Sequence, residues 1–288
     1  MQLDVKVSVI IRTLNEQKFL TECLGAVLNQ EYGRKPEIII VDSGSSDNTL
    51  EIAMKFGAKI LHINIEDFTY GRALNMGFSE ATGDIGVILS AHCIPKGQHW
   101  LANITKRLSN GNAVYSYSRQ IGSQSLSKYS EMKVFTKFFP RLDDTSYNKE
   151  YCNNASSALL VSTWRKERFN EDLTGLEDLD LYRRLRKGDQ NVCYCPTSVC
   201  VHIHEEDWGQ IAKRYNREAL AYSSIYADQR ISTLTLIFFA IKSMVLDSYC
   251  IDKMKINDFF EIMNYRSAQF FGYITGQPKY LVNLIEKL

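Results

Sequence analysis

The chain has 288 residues, 45% hydrophobic and 23% charged, enough to bury a substantial core as one large domain or a domain with an appendage. Its formal net charge is +1 with the signs interspersed, which leaves no bulk electrostatic case for a nucleic-acid partner. Seven scattered cysteines, without paired metal-ligand spacing, fit reduced thiols in a cytosol better than a disulfide framework.

Met1 to Lys6 carries Asp4 and Lys6 and no apolar leader core, so the expected location is cytoplasmic. Val7 to Ile11 is a continuous β-branched run, followed by Thr-Leu-Asn-Glu and a helical pattern from Phe19 to Gln30. Ile38 to Val41 predicts a second strand, then Asp42-Ser-Gly-Ser-Ser-Asp47 and a helix from Thr49 to Phe56. A third strand, Ala58 to Ile63, precedes a helix from Gly71 to Ala81; a fourth, Ile85 to Leu89, precedes one from Gly97 to Leu108. Fully apolar strands with helical crossovers imply a mainly parallel sheet covered on both faces, with ligands at its carboxyl edge. The loops to watch are therefore 12–16, 42–47 and 90–95.

Beyond Asn110 the rhythm changes. Ala113 to Arg119 alternates as a strand with one exposed face, and 123–149 reads as a mobile loop or lid. Ser156 to Val161 predicts a strand, Gly175 to Gly188 a short helix, and Asn191 to His204 two strands around Pro196. From Asp207 onward the pattern is helical. The expected organisation is an α/β domain over 1–228, with halves of about 1–110 and 111–228, and a helical extension over 229–288. The apolar stretch Thr233 to Leu246 is interrupted by Lys242 and too short to span a bilayer, so it reads as a packed or interfacial helix.

Several polar groups fall at the expected carboxyl edge. Asp42, ending an apolar strand, suits a base N–H or a ribose hydroxyl, whereas Asp47 or Ser46 serves as a helix cap. Arg72 offers a donor to base or phosphate, or else a surface ion pair. Glu177 and Asp178 open a helix whose last turn is basic. That complements the helix dipole, and it also places a candidate general base beside a cleft. His202 and His204 lie on one face of a strand, able to share a divalent ion with His92 or to form a hydrogen-bonded pair.

In order and spacing, these segments resemble the family 2 glycosyltransferases, inverting enzymes of the GT-A fold. The matching stretches are Val7-Ser-Val-Ile-Ile-Arg-Thr-Leu-Asn-Glu16, Ile39-Ile-Val-Asp-Ser-Gly-Ser-Ser-Asp47, Ala73-Leu-Asn-Met-Gly-Phe-Ser-Glu-Ala-Thr-Gly-Asp84 and Gly175-Leu-Glu-Asp-Leu-Asp-Leu-Tyr-Arg-Arg-Leu185, with the histidine strand after them. The second motif looks like the branch of bacterial rhamnosyl- and polysaccharide-type transferases. The resemblance covers about residues 5–225. It implies a nucleotide-sugar pocket drawn from Thr13, Asn15, Glu16, Asp42, Ser43, Arg72, Asn75, Ser90, Ala91 and His92, with Asp178 as base and Glu177 orienting it or the acceptor.

The family commonly carries Asp-X-Asp after the fourth strand, where this chain has Ser90-Ala91-His92. His92 and His202, with His204 as a further candidate, are then the expected ligands of a divalent cation, Mn²⁺ or Mg²⁺, although Mg²⁺ prefers oxygen. The implied partners are a nucleotide-sugar and a glycan or lipid-linked glycan acceptor in surface polysaccharide assembly, including lipopolysaccharide and capsule. The C-terminal helices are candidates for self-association or for contact with the inner face of the plasma membrane. Two other readings stand beside this one: a catalytically inactive GT-A module that binds glycan or scaffolds an assembly complex, and a sugar nucleotidyltransferase.

Overall fold

A computed structural model describes residues 5–141, 151–226, 232–249 and 256–276. Its elements are grouped in two compact units. Of the described residues, the first comprises 5–123, 135–141, 151–172 and 177–203; the second comprises 124–134, 173–176, 204–226, 232–249 and 256–276.

The first unit is built on one eight-stranded sheet. Strands β1 (Val7–Thr13), β2 (Glu37–Asp42), β3 (Lys59–His62) and β4 (Ile85–Ser90) alternate with helices α1 (Gln17–Leu28), α2 (Thr49–Lys55) and α3 (Tyr70–Ser79). There follow in the chain β5 (Cys93–Pro95), α4 (Trp100–Ser109), β6 (Tyr115–Ile121), α5 (Tyr129–Phe138, its residues up to Val134 belonging to the second unit), β7 (Ser156–Leu160), α6 (Val161–Trp164), α7 (Glu177–Lys187) and β8 (Val192–His202). The strand order is β3-β2-β1-β4-β7-β6-β8-β5. β1 to β4 run parallel, while β7 and β5 pair antiparallel to their neighbours. This is the mixed α/β, mainly parallel architecture that the apolar strand runs imply.

The reason is burial on both faces. Val7, Val9 and Ile11 of β1 join Leu20, Leu24 and Val27 of α1 and Leu101 and Ile104 of α4 in one core. On the opposite face Ile10 lies under α3, so closely that a Cβ on Gly77 would stand 2.4 Å from its Cγ2. A side chain there would force the helix off the sheet.

Three expectations change. Cys93–Pro95 is a short strand that only the pairing with β8 defines. The segment around Pro196 is not two strands but one, β8, with an irregularity: Ser118 pairs with Cys195 and Arg119 with Val199, so 196–198 bulge out. Proline lacks the N–H that a continuous ladder needs there. Within the expected 123–149 lid, Tyr129–Phe138 is helix; 142–150 lies outside the described residues.

In the second unit α8 (Trp208–Ile225), α9 (Thr233–Tyr249) and α10 (Ile256–Thr275) are gathered. Ile211 and Tyr215 of α8 pack with Tyr265 and Ala268 of α10, and the two tyrosine hydroxyls meet at 2.9 Å. Asp247 of α9 is buried against Arg266 of α10, whose Nη2 donates to it at 2.8 Å, and accepts from Ser130 at 2.6 Å. No helix among the described residues is long and apolar enough to cross a membrane.

Candidate active site

Strand register gathers the first set of polar groups. Thr13 lies opposite Asp42, and Arg12 opposite Ser90, at the carboxyl edge of β1, β2 and β4. The loops after β1 and β2 are sewn together by side chains. Asn15, at φ 56°, accepts from the Ser46 amide at 2.8 Å, and its own amide donates to Ser45 Oγ at 2.8 Å. Asparagine tolerates that left-handed backbone better than most residues do. Ser43 is buried, its amide donating to the Thr13 carbonyl at 3.0 Å.

Asp42 is the hub of this edge. Its Oδ1 accepts from Thr13 Oγ1 at 2.8 Å and Ser45 Oγ at 2.5 Å, and its Oδ2 from the Gly44 and Ser45 amides at 2.9 Å each. Burial pushes its pKa up, but the hydrogen bonds from Ser45, Thr13 and Gly44 outweigh burial and hold it below the ordinary range. All four acceptor positions of the carboxylate are occupied, one by Thr13 of β1 and three by Gly44 and Ser45 of the following loop. A ligand reaching Asp42 would displace one of them.

Glu16, Ser90, Ala91 and His92 continue the edge toward β5 and β8. Glu16 Oε1 meets His92 Nδ1 at 2.9 Å. Cys93 pairs with His202, and the Ile203 amide donates to the His92 carbonyl at 3.1 Å, so the two histidine rings stack with centroids 5.3 Å apart at 15°. His202 Nδ1 in turn meets Gln120 Oε1 at 2.7 Å. Each ring is thus oriented by an oxygen at Nδ1, the usual second contact of a metal-ligating histidine. A pair of imidazoles suits Mn²⁺ better than Mg²⁺. His204 lies past the end of β8 in the second unit, where its Nδ1 meets Glu131 Oε1 at 2.7 Å.

The acid pair opens α7. Leu176 takes φ 55° immediately before it, a strained value for leucine. Glu177 Oε1 accepts from Arg12 Nη1 at 3.2 Å and from Asn154 Nδ2 at 3.3 Å. Asp178 Oδ2 accepts from the Asn154 amide at 2.8 Å, and its Oδ1 from the Leu179 amide at 2.8 Å. Burial, then the neighbouring Glu177 charge, push Asp178 up to about 7 against those two hydrogen bonds and the Arg12 charge.

Arg72 and Asn75 are engaged elsewhere. Arg72 Nε pairs with Glu171 at 3.0 Å, and Nη1 donates to the Asp67 carbonyl at 2.9 Å. Asn75 donates to Glu171 and the Phe169 carbonyl and accepts from Trp164 Nε1 and the Phe169 amide, which fills its hydrogen-bonding capacity. The polar residues of this motif fasten α3 to the 164–171 segment. Arg12, Gln120, Asn153 and Asn154 are connecting residues that pattern reasoning passed over. Gln120 Nε2 donates to Asn153 Oδ1 at 2.8 Å, so the histidine pair and the acid pair meet through two successive asparagines. For the two asparagines, the available signal is the Asn153-Asn154 step shortly before β7.

A family model described as Glycosyl transferase family 2 matches residues 8–169, more than half of the chain. The chain belongs to glycosyl transferase family 2. Glycosyltransferase AglE of Haloferax volcanii is 37% identical over 123 residues, 38% of this chain and 40% of that protein. A dolichyl N-acetyl-alpha-D-glucosaminyl phosphate 3-beta-D-2,3-diacetamido-2,3-dideoxy-beta-D-glucuronosyltransferase of Methanococcus voltae is 37% identical over 103 residues, 34% of this chain and 32% of that protein. The chain thus spans less than half the length of these two curated relatives. Among solved structures, the mannosyltransferase PcManGT of Pyrobaculum calidifontis, in complex with GDP-Man and Mn²⁺, superposes with a TM-score of 0.66 at 16% identity, over 95% of this chain and 87% of that one. Glucosyl-3-phosphoglycerate synthase of Mycobacterium tuberculosis, in complex with Mn²⁺, UDP-glucose and phosphoglyceric acid, gives 0.58 at 17% identity, over 79% and 81%. These likenesses give this family 2 chain the GT-A fold.

Proposed function

We propose that this chain transfers a sugar from a nucleotide-activated donor to an acceptor hydroxyl with inversion at the anomeric carbon. The observation that carries this is Asp178: a buried carboxylate pushed up to about 7, fixed by two backbone amides beside the Glu177–Arg12 pair. A base tuned near the working pH accepts a proton without being a permanently weak base. Asp178 takes the acceptor's proton as its oxygen bonds to the anomeric carbon, and the bond to the nucleoside diphosphate breaks on the opposite face. Thr13, Asn15, Asp42 and Ser43 shape the nucleotide end, with Glu16 and Ser90 toward the diphosphate. His92 and His202 would hold a divalent cation, which supplies positive charge to the departing diphosphate. The cation-bound and nucleotide-sugar-bound neighbours of the same fold support this reading.

The acceptor we infer is a glycan or lipid-linked glycan of surface polysaccharide assembly. On α9, Leu234, Phe238, Ile241, Val245 and Tyr249 follow helical spacing and are all exposed, with Lys242 among them. The acid of that helix, Asp247, is buried on its ion pair. An apolar face with a lone cation suits an anionic lipid surface; a two-fold self-contact would bring like charges together.

The decisive experiment measures donor binding and turnover separately. Asp178→Asn should bind a nucleotide-sugar with affinity near that of the parent while losing 10²–10⁴-fold in kcat, the usual worth of a general base. Unchanged turnover would remove Asp178 from this role. A parent chain that binds donor but never turns over would favour the inactive-module reading.

A further inference from the structure

Arg12 is out of place on physical grounds. It lies one residue from the end of β1, between Val41 and Ser90 in register, in a central strand of the sheet. Alternation puts its side chain on the face of Ser8 and Ile10, which α3 covers at Gly77. Its side chain is 15% exposed, and a charge that enclosed persists only when it is paired. The guanidinium carbon stands 4.6 Å from the Tyr70 ring centroid, and Nη1 reaches Glu177 Oε1, itself 5% exposed. The ring and the carboxylate together fix where the cation sits.

Two adjacent buried carboxylates without a cation tend to share one proton, as like charges cannot both ionise cheaply. A shared proton at this step would occupy the group meant to receive one. We propose that Arg12 is a positioning residue: its ion pair fixes Glu177 beside the base and leaves Asp178 as the single destination for the acceptor's proton. This rests on Asp178 being the base. The titratable groups around Asp178 are Arg12 from β1, Tyr115 from β6, Cys152 ahead of β7 and Glu177 on its own helix. Of these, Arg12 alone is a cation. Burial first, with the Asp178 charge as a further cause, raises both Tyr115 and Cys152, so both enter neutral.

The test uses this chain, carboxyl-¹³C-labelled and titrated by NMR, beside pH profiles of kcat/KM. In the parent, the step near pH 7 should show in the Asp178 signal alone. In Arg12→Leu it should move up by about one pH unit and appear in both Glu177 and Asp178 signals. The acid limb of kcat/KM should follow, with activity recovered at alkaline pH. Arg12→Lys keeps the charge and should shift the step less. Arg12→Leu combined with Glu177→Gln removes both charges, and so covers the case in which the single leucine variant fails to fold; its acid limb should match that of Glu177→Gln alone, and a limb displaced from it would show that Arg12 acts without Glu177 and overturn the proposal. An Asp178 step unmoved in Arg12→Leu would overturn the proposal. So would a raised donor KM with the limb in place, because Arg12 would then act on the donor. If the NMR steps behave as stated while Asp178→Asn keeps full turnover, the base assignment fails and the Arg12–Glu177 effect stands.

Discussion

Asp42 and Asp178 are both buried carboxylates, and their surroundings push them in opposite directions. Asp42 collects four hydrogen bonds and is held low; Asp178 collects two beside a second acid and is pushed up to about 7. For Asp178 the native state binds more protons than the unfolded chain between the ordinary carboxylate range and about pH 7, so its contribution to stability is lost as pH rises through that window. Asp42 has the reverse sign: its contribution is present above the unfolded value and is lost as pH falls through its depressed native one. Asp178→Asn should therefore gain stability relative to the parent as pH rises from 5 to 8, by at most about 1.4 kcal/mol per pH unit. Urea unfolding at several pH values measures this, and a difference that stays flat would place the titration elsewhere. The histidine pair carries a separate expectation. His92→Ala combined with His202→Ala should abolish Mn²⁺-dependent thermal stabilisation in the presence of a nucleoside diphosphate and leave metal-free melting within a few degrees of the parent. Retained stabilisation would move the cation to other ligands. Asp42 and Asp178 were both legible as residues of interest because each ends or begins a periodic element. Their opposite tuning was not legible, since Asp42 is lowered by donors that the folded loop and Thr13 supply, while Asp178 is raised by its burial beside Glu177.

At the scale of elements, the close seat of α3 on β1 is set by glycine. Gly77→Ala would place a methyl 2.4 Å from Ile10 Cγ2, inside a packed core. It should cost about 1–3 kcal/mol by overpacking, read from the denaturation midpoint; a neutral result would mean that α3 shifts freely. α8 begins with a capping box, in which Asp207 Oδ1 accepts from the Gln210 amide and the Gln210 side chain accepts from the Asp207 amide, each at 2.8 Å. Asp207→Ala should lower stability by about 1 kcal/mol, with both partners left to water. The parallel half of the sheet was readable because its strands are apolar throughout and its turns carry Asp, Asn, Ser and Gly. β5 was not, because three residues have no period, and their strand character comes from β8. Pro196 misled for a related reason: a bulge accommodates a proline that a regular ladder would exclude.

For the whole molecule, the exposed face of α9 is the feature with a consequence for location. Leu234 is 78% exposed, and Phe238 and Val245 are each 61% exposed. This 288-residue chain should sediment with vesicles containing anionic phospholipid, less with neutral ones, and Phe238→Ser with Val245→Ser should reduce that binding roughly tenfold or more. Binding to neither vesicle, with a concentration-dependent dimer in solution, would assign the face to a second copy instead. The amino-acid sequence by itself determined the strand–helix alternation, the carboxyl-edge placement of Thr13, Asp42 and Ser90, and the family, because each is written in contiguous residues. Only the tertiary structure decided that Arg12 meets Glu177 across 165 positions, that His92 stacks on His202 through the β5–β8 pairing, and that Asn75 and Arg72 are spent on the 164–171 segment. Those contacts depend on sheet order and on which buried donors remain to be satisfied, and neither has a local signature along the chain.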